Sequence, residues 1–149
     1  ILTTHQRDYL VAAAEQWGGE IHQWTPQGGG AQAWRLITDA EAIDAIMPPG
    51  DPLSQHYEMW SKGGCQRRCD GETEQLSNKP CLCLAQFGEE FHLQKPEDAC
   101  RPHTRLNLIL PDVPDVGVWR AETKGYYAAN EIAAYVANLE ERSEGYAAS

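Results

Sequence analysis

The stretch Cys65-Gln-Arg-Arg-Cys69, followed by Cys81-Leu-Cys83 and then Cys100, decides the fold of this 149-residue chain. It contains all five cysteines, spaced C-x3-C-x11-C-x-C-x16-C. An odd number of cysteines, without a visible export signal, argues against a disulfide framework. Four thiolates around Zn²⁺ form a closed tetrahedral structural site, so zinc is the better interpretation. An iron–sulfur cluster also accepts four cysteines, and ordinary buried thiols remain a third reading.

One tetrahedral ion takes only four of the five sulfurs. We favour Cys69, Cys81, Cys83 and Cys100, with Cys65 as the likeliest spare, because Asp70-Gly71 supplies a turn directly after Cys69. Residues 62–104 contain several Gly and Pro and little apolar periodicity, so a metal would have to replace the missing core. The sequence therefore predicts a Cys-rich zinc-binding insert at 62–104. Four nearby cations would offset the thiolate charge: Lys62, Arg67, Arg68 and Arg101.

Length and charge restrict the class of protein. A chain of 149 residues suits one domain, 1–149, and no apolar run is long enough to span a bilayer. The 12 Lys+Arg against 22 Asp+Glu give a net charge of −10, which disfavours direct binding to duplex DNA. Proteins with basic surfaces are the natural partners. Because Ile1–Thr4 offers neither an initiator Met nor a signal layout, we expect a trimmed piece of a longer protein.

Hydrophobic periodicity predicts an α+β fold, with a mainly antiparallel sheet and N- and C-terminal helices around the Cys-rich insert. Thr3-x-x-Gln6 matches a capping box for the first helix, and Gly18-Gly19 ends it. Ala42–Met47 is ambiguous between helix and strand, and Ser143-Glu-Gly145 ends the last helix. Strands are predicted at Glu20–Thr25, Ala33–Thr38, Thr104–Leu110 and Gly117–Thr123.

An enzyme reading competes with a binding one. Pro111-Asp112 followed by Glu122-Thr-Lys124 has the spacing of restriction-endonuclease-like enzymes, in which paired carboxylates hold Mg²⁺ and the Lys activates water. The pattern is short, however, and a net charge of −10 gives a nuclease little grip on DNA. We therefore favour a solvated hairpin here, no catalytic residue and no small-molecule substrate.

Two other groups of side chains carry expectations. His103, beside Pro102 at a strand edge, is expected to be solvated and not a ligand. The tryptophans in strand patterns are expected in the core: Trp24, Trp34 and Trp119. The pattern does not assign four other aromatic residues to the core, so they are candidates for contact with a partner, although the sequence identifies no interface. They are Tyr57, Trp60, Tyr126 and Tyr127.

Several segments resemble the recombination directionality factors of actinophages that use large serine integrases. The resemblance extends from about Trp17 to about Glu131, and its Cys-rich block is the most specific part. The matching segments are Pro52–Trp60, Gly63–Gly71, Cys81–Cys83, Cys100–Arg105, Gly117–Trp119 and Gly125–Ala129.

The resemblance implies a regulatory role without catalysis. Such a factor binds the integrase near the coiled-coil subdomain of its C-terminal region, promotes recombination of the hybrid attachment sites, which excises the prophage, and inhibits integration. It would meet DNA only through the integrase, in the cytoplasm of the bacterial host. The zinc would be structural, holding loops in one shape so that less order is lost on binding.

Overall fold

A computed structural model describes residues 1–26 and 30–142. The chain divides into two compact units, the first formed by 1–46 with 109–119 and the second by 47–108 with the chain from 120 onward. The prediction of a single domain over 1–149 stays a prediction. No helix in the described ranges is long and apolar enough to cross a membrane. The predicted helix end at Ser143–Gly145 lies outside the described residues.

The first unit packs one helix on a small antiparallel sheet. In chain order its elements are β1 (Leu2–Thr4), α1 (Arg7–Trp17), β2 (Ile21–Trp24), β3 (Ala33–Leu36) and a 3₁₀ turn at Pro114–Val116. The three strands follow the spatial order β1-β3-β2. The core consists of Leu10, Ala13 and Leu36, with partly buried tryptophans around them.

The start of α1 corrects one prediction. Leu2–Thr4 forms a strand, so Thr3 caps nothing, and Gln6 at the N-cap makes no side-chain capping bond. The strand wins because β1 pairs antiparallel with β3, with Leu2 opposite Leu36. The predicted helix end is confirmed: α1 stops at Trp17, and Gly18 (φ 74°) donates its backbone N–H to the Ala14 carbonyl.

The second unit is built on a six-stranded sheet. Its elements are β4 (Leu53–Ser61), β5 (Gly64–Cys69), β6 (Thr73–Glu74), β7 (Lys79–Pro80), α2 (Leu82–Phe87), a 3₁₀ turn at Phe91–Leu93, β8 (Arg101–Ile109), β9 (Val118–Thr123, which starts in the first unit) and α3 (Tyr126–Arg142). The spatial order of the strands is β7-β6-β5-β4-β8-β9. The pairs of β4 with β5 and with β8 are antiparallel, which agrees with the predicted α+β class.

Two separate cores hold the second unit. One packs Val136 of α3 with Met47, and partly buried Leu53, Leu106 and Leu108 surround them. The other consists of four cysteines with Phe91 and Ala99. The sequence did not predict strands at β4 or β5 or a helix at α2. Residues 62–104 therefore contribute the strands β5, β6 and β7, the start of β8 and the helix α2, as well as loops. Ala42–Met47 is neither helix nor strand apart from a bridge at Ile46.

Candidate functional site

Four of the five cysteines lie together in the interior of the second unit. We call Cys69, Cys81, Cys83 and Cys100 the thiol cluster; their exposed fractions are 0%, 3%, 0% and 1%. Cys65 is only partly buried, and its thiol donates to the Arg67 carbonyl at 3.2 Å. The structure thus brings together the four cysteines that the sequence favoured and leaves Cys65 apart.

Short local elements position these four side chains. Cys69 ends β5, where it lies opposite Tyr57 of β4. Cys81 is the N-cap of α2, and its sulfur accepts the backbone N–H of Leu84 at 3.5 Å. Cys83 lies inside the same helix, and Cys100 directly precedes β8. A strand end, a helix start and a second strand start therefore converge on one point.

Hydrogen bonds around the cluster favour thiolate character at some positions and oppose it at others. The bond from Cys100 is the largest influence on Cys69 and lowers its pKa to about 6. Burial raises the pKa of Cys81, whose sulfur lies 3.5 Å from that of Cys69. Cys83 accepts from the Arg67 guanidinium at 3.6 Å and from the Cys100 backbone N–H at 3.3 Å. Arg67 thus contacts a sulfur, in line with the expected role of the nearby cations.

The donor chemistry fits a four-thiolate metal centre better than the geometry does. Around Zn²⁺, with Zn–S bonds of about 2.3 Å, a tetrahedron places its sulfurs about 3.8 Å apart. The 3.5 Å between Cys69 and Cys81 is close to that value. In residues 1–26 and 30–142, however, no group of three or more His, Cys, Asp or Glu side chains is arranged so that it could hold a metal ion. The side chains would have to reorient around an ion, and zinc stays a prediction.

A series of aromatic rings runs from the thiol cluster to the surface. Tyr57 packs against the cluster and meets Phe91 edge-on, with ring centroids 4.9 Å apart. Next to Phe91, His92 stacks flat on Tyr126 at 4.1 Å, and Tyr126 contacts Tyr127 at 5.8 Å. We call these five residues the aromatic chain. Its outer end is Tyr127, which is 81% exposed at the start of α3.

A buried carboxylate forms a second polar centre in this unit. Glu58 is 1% exposed, and it accepts from Arg105 at 2.6 and 3.2 Å, from Arg68 at 2.9 Å and from the Trp60 indole at 3.3 Å. Burial alone would raise its pKa, but the arginine bonds outweigh burial and lower the pKa to about 2. The carboxylate is therefore ionised and saturated with donors.

His103 corrects another expectation. Its side chain is 13% exposed and lies 3.5 Å from Glu58, so the prediction of a solvated histidine is wrong. Its position on β8, opposite His56 of β4, turns it toward the Glu58 side of the sheet. Burial lowers its pKa, while the nearby Glu58 carboxylate acts to raise it.

The nuclease alternative finds its three residues in different surroundings. Asp112 belongs to the first unit, whereas Glu122 and Lys124 belong to the second. The Glu122 carboxylate pairs with Arg120 at 2.8 Å and with Arg105 at 3.6 Å. Its charge is thus directed to two arginines, which gives the Mg²⁺ reading no support.

The sequence pointed to the thiols and to the exposed tyrosines but not to the Glu58 centre. Glu58, Arg68 and Arg105 alternate with other residues in strands, a pattern that also describes a solvated strand face. Of the core tryptophans, Trp34 and Trp119 pack on the core of the first unit. The exposed apolar side chains of the Cys-rich segment were also missed: Leu76, Leu82, Phe87 and Leu93.

Comparison with known proteins gives one family and no structural template. No solved structure matches the chain. A family profile described as Gp3-like, recombination directionality factor-like, matches residues 1–148, beyond the span of about Trp17 to Glu131 on which the resemblance was based. Because the match covers nearly the whole chain, this protein belongs to the Gp3-like family of recombination directionality factor-like proteins.

Proposed function

We propose that the chain is a recombination directionality factor that binds a phage large serine integrase, near the coiled-coil subdomain of its C-terminal region. Bound to the integrase, it promotes excision and inhibits integration. It acts in the cytoplasm of the bacterial host, performs no catalysis of its own and reaches the attachment sites through the integrase. Family membership over residues 1–148 is the observation that carries this proposal.

The surface of the second unit supports a role in protein binding. In the Cys-rich insert, Leu76 is 56% exposed, Leu82 48% and Leu93 67%. On α3, Tyr127 is 81% exposed. Tyrosine is enriched among the residues that dominate interface energies, and exposed leucines add apolar surface that a partner can cover. A net charge of −10 favours encounter with the basic surface of a DNA-binding partner.

The aromatic chain gives the thiol cluster a part in this surface. Phe91 lies in the same core as the four thiols, and the stacked pair of His92 and Tyr126 continues from it toward Tyr127. A cluster that keeps Phe91 in one place therefore also orients the tyrosines at the start of α3. Such preorganisation reduces the entropy lost on binding.

Control of direction needs only a modest difference in binding. A partner that prefers one arrangement of integrase subunits shifts the equilibrium by that preference and no more. A coupling free energy of about 3 kcal/mol corresponds to a bias of about 150-fold.

A reconstituted recombination reaction tests the proposal. The cognate integrase is incubated with hybrid-site substrates and, separately, with integration-site substrates, each with and without the full chain. We expect the chain to switch on recombination of the hybrid sites and to suppress the integration reaction. An unchanged ratio of the two reactions, at concentrations where integrase alone is active, contradicts the proposal.

One pair of variants locates the surface. Tyr127→Ser removes the outermost ring of the aromatic chain, and we expect it to reduce the stimulation of excision about tenfold, which is about 1.4 kcal/mol of binding. Ile37→Ser is the matched control, because Ile37 is also exposed, by 51%, but lies in the first unit. If both variants reduce the stimulation of excision equally, the integrase-binding surface does not include Tyr127.

We further propose that the thiol cluster holds a structural Zn²⁺, with Cys65 outside the ligand set. Burial of the four thiols in one core and N–H donors directed at the sulfurs of Cys81 and Cys83 support it. Elemental analysis of protein purified without chelator should find about one equivalent of zinc, as expected for a four-thiolate site. Iron with visible absorption would indicate the iron–sulfur alternative, and less than about half an equivalent of either metal removes the proposal.

A further inference from the structure

A cavity of about 300 Å³ opens beside the Glu58 centre of the second unit. We call it the Trp60 pocket; it is lined by Glu58, Trp60, Pro96, Arg101, His103 and Lys124. Its volume lies at the lower limit of ordinary ligand pockets, which hold one small molecule. The pocket involves none of the four thiols and none of the residues of the aromatic chain.

Among the described residues that line the pocket, the one carboxylate is that of Glu58, and its two oxygens already accept hydrogen bonds from two arginines. One oxygen of Glu58 accepts from Arg105 and the Trp60 indole, and the other accepts from Arg68 and Arg105. Neither of these arginines lines the pocket. Glu58 makes its ion pairs with those two arginines and none with the two cationic residues that do line the pocket, Arg101 and Lys124.

Neither of those two cations forms an ion pair with a residue in the part of the chain that the structure describes. Arg101 donates one guanidinium N–H to the Gln94 carbonyl at 2.9 Å, while its Nε is buried with no hydrogen-bond partner. Lys124 is exposed and forms no ion pair or hydrogen bond with any residue in the described part of the chain. Because that Nε is closed to solvent, an anion in the pocket would contact the terminal guanidinium nitrogens of Arg101 and the Lys124 ammonium.

The pocket also presents a fixed planar surface. The indole of Trp60 is 49% exposed, yet its N–H is held by Glu58 at 3.3 Å. The His103 ring lies 6.4 Å away at a tilt of 34°. A half-exposed indole held in this way offers a face on which a flat ring can stack, and every nucleobase has such a face.

We propose that the Trp60 pocket binds one nucleotide, with Arg101 and Lys124 on its phosphate and Trp60 against its base. The nucleotide is either free or part of a DNA strand within the recombination complex. A net charge of −10 disfavours a long run of phosphate contacts, so the site takes a single nucleotide. The site itself depends neither on the integrase-binding function nor on zinc, whereas its occupation by DNA rests on the proposed role in recombination.

Titration of the full chain tests this. The probes are ADP, inorganic pyrophosphate, a short single-stranded oligonucleotide and glutarate, the last as a dicarboxylate control. We expect ADP to bind and to quench tryptophan fluorescence, and glutarate not to bind. With two cations in contact with phosphate, the binding constant of the oligonucleotide should depend weakly on salt: the slope of its logarithm against the logarithm of salt concentration should be about −1.4.

Variants separate the two halves of the site. Lys124→Gln should weaken ADP and pyrophosphate binding about tenfold, and Trp60→Leu should weaken ADP but not pyrophosphate. Arg120→Gln is the matched control: Arg120 is a cation four residues before Lys124, on β9, but it pairs with Glu122 and does not line the pocket. Circular dichroism checks that each variant is folded.

Each outcome has one meaning. Binding of ADP alone assigns the site to free nucleotide, and binding of the oligonucleotide, with the variants weakening it as stated, assigns it to DNA. No binding of either at low salt overturns the proposal, and so does glutarate binding as tightly as ADP. The proposal is also overturned if oligonucleotide binding weakens steeply with salt concentration and Arg120→Gln reduces this dependence as much as Lys124→Gln does. That result would indicate a diffuse basic surface. Recombination activity can fail without affecting any of these readouts.

Discussion

The two units hold themselves together with different chemistry. The first buries Leu10 and Leu36 against tryptophans, contacts that need only shape and apolar surface. The second buries four thiols in one core and a fully paired carboxylate, Glu58, nearby in the sheet. A buried carboxylate is stable inside a protein only with specific partners at specific distances, and under the zinc proposal the four thiols also depend on a shared ion. The second unit should therefore respond to single changes more sharply than the first.

The largest expected effect comes from the thiol cluster. Cys69→Ser removes the thiol that contacts both Cys81 and Cys100, and under the zinc proposal it removes a ligand. Structural zinc supplies about 10 kcal/mol or more of folding free energy, so we expect a loss of more than about 4 kcal/mol in this region. Hydrogen exchange by mass spectrometry should show it as lost protection over residues 64–100, with little change in α1.

Cys65→Ser is the matched control for this change. Cys65 is only partly buried and lies outside the cluster, so its loss should cost less than about 1 kcal/mol and leave the metal content unchanged. If Cys65→Ser releases the metal and Cys69→Ser does not, the choice of ligands is wrong.

The next largest effect should come from Glu58. Glu58→Gln leaves Arg68 and Arg105 without their buried partner, and breaking a buried ion pair costs about 4 kcal/mol. Urea denaturation with hydrogen exchange over β4 measures the loss. Glu122→Gln is the control, because its pair with Arg120 is half exposed and is worth less than about 1 kcal/mol. Similar losses in both variants would remove the distinction between the Glu58 centre and an ordinary surface pair.

The first unit supplies a reference of intermediate size. Leu10 is fully buried on α1, and Leu10→Ala should cost about 3 kcal/mol through lost apolar contact and a residual cavity. Hydrogen exchange should show that loss in α1 and β3 but not at the thiol cluster. Leu82→Ala, at a leucine that is 48% exposed, should change stability by less than about 1 kcal/mol. A loss of protection throughout both units after Leu10→Ala would show that they unfold as one.

The same difference explains what the sequence could predict. The helix end at Gly18 and the strands at Ala33 and Thr104 follow from local signals such as glycine and alternating apolar residues. The grouping of four cysteines could also be predicted, because all the cysteines of the chain fall within one short stretch of sequence. Arg105 and Glu58 stand 47 residues apart, so nothing local marks them as partners. The capping box failed for a related reason, since pairing of Leu2 with Leu36 outweighed a local helix signal.

The smallest effect is a dependence of stability on pH that the second unit should show. The folded-state pKa of Glu58 is about 2, below the ordinary value of 4.5, so this group stabilises the fold above pH 4.5 and loses that contribution as the pH falls through 2. At about pH 3 the loss should be about 2 kcal/mol. Glu74, whose pKa is lowered to about 2 chiefly by its hydrogen bond with Ser77, changes stability in the same direction. Between pH 2 and 4.5, the free energy of unfolding measured by urea denaturation should therefore change less steeply with pH for Glu58→Gln than for the native chain. Equal slopes would mean that Glu58 is not held ionised by its arginines, and the contrast between the two units would then depend on the thiols alone.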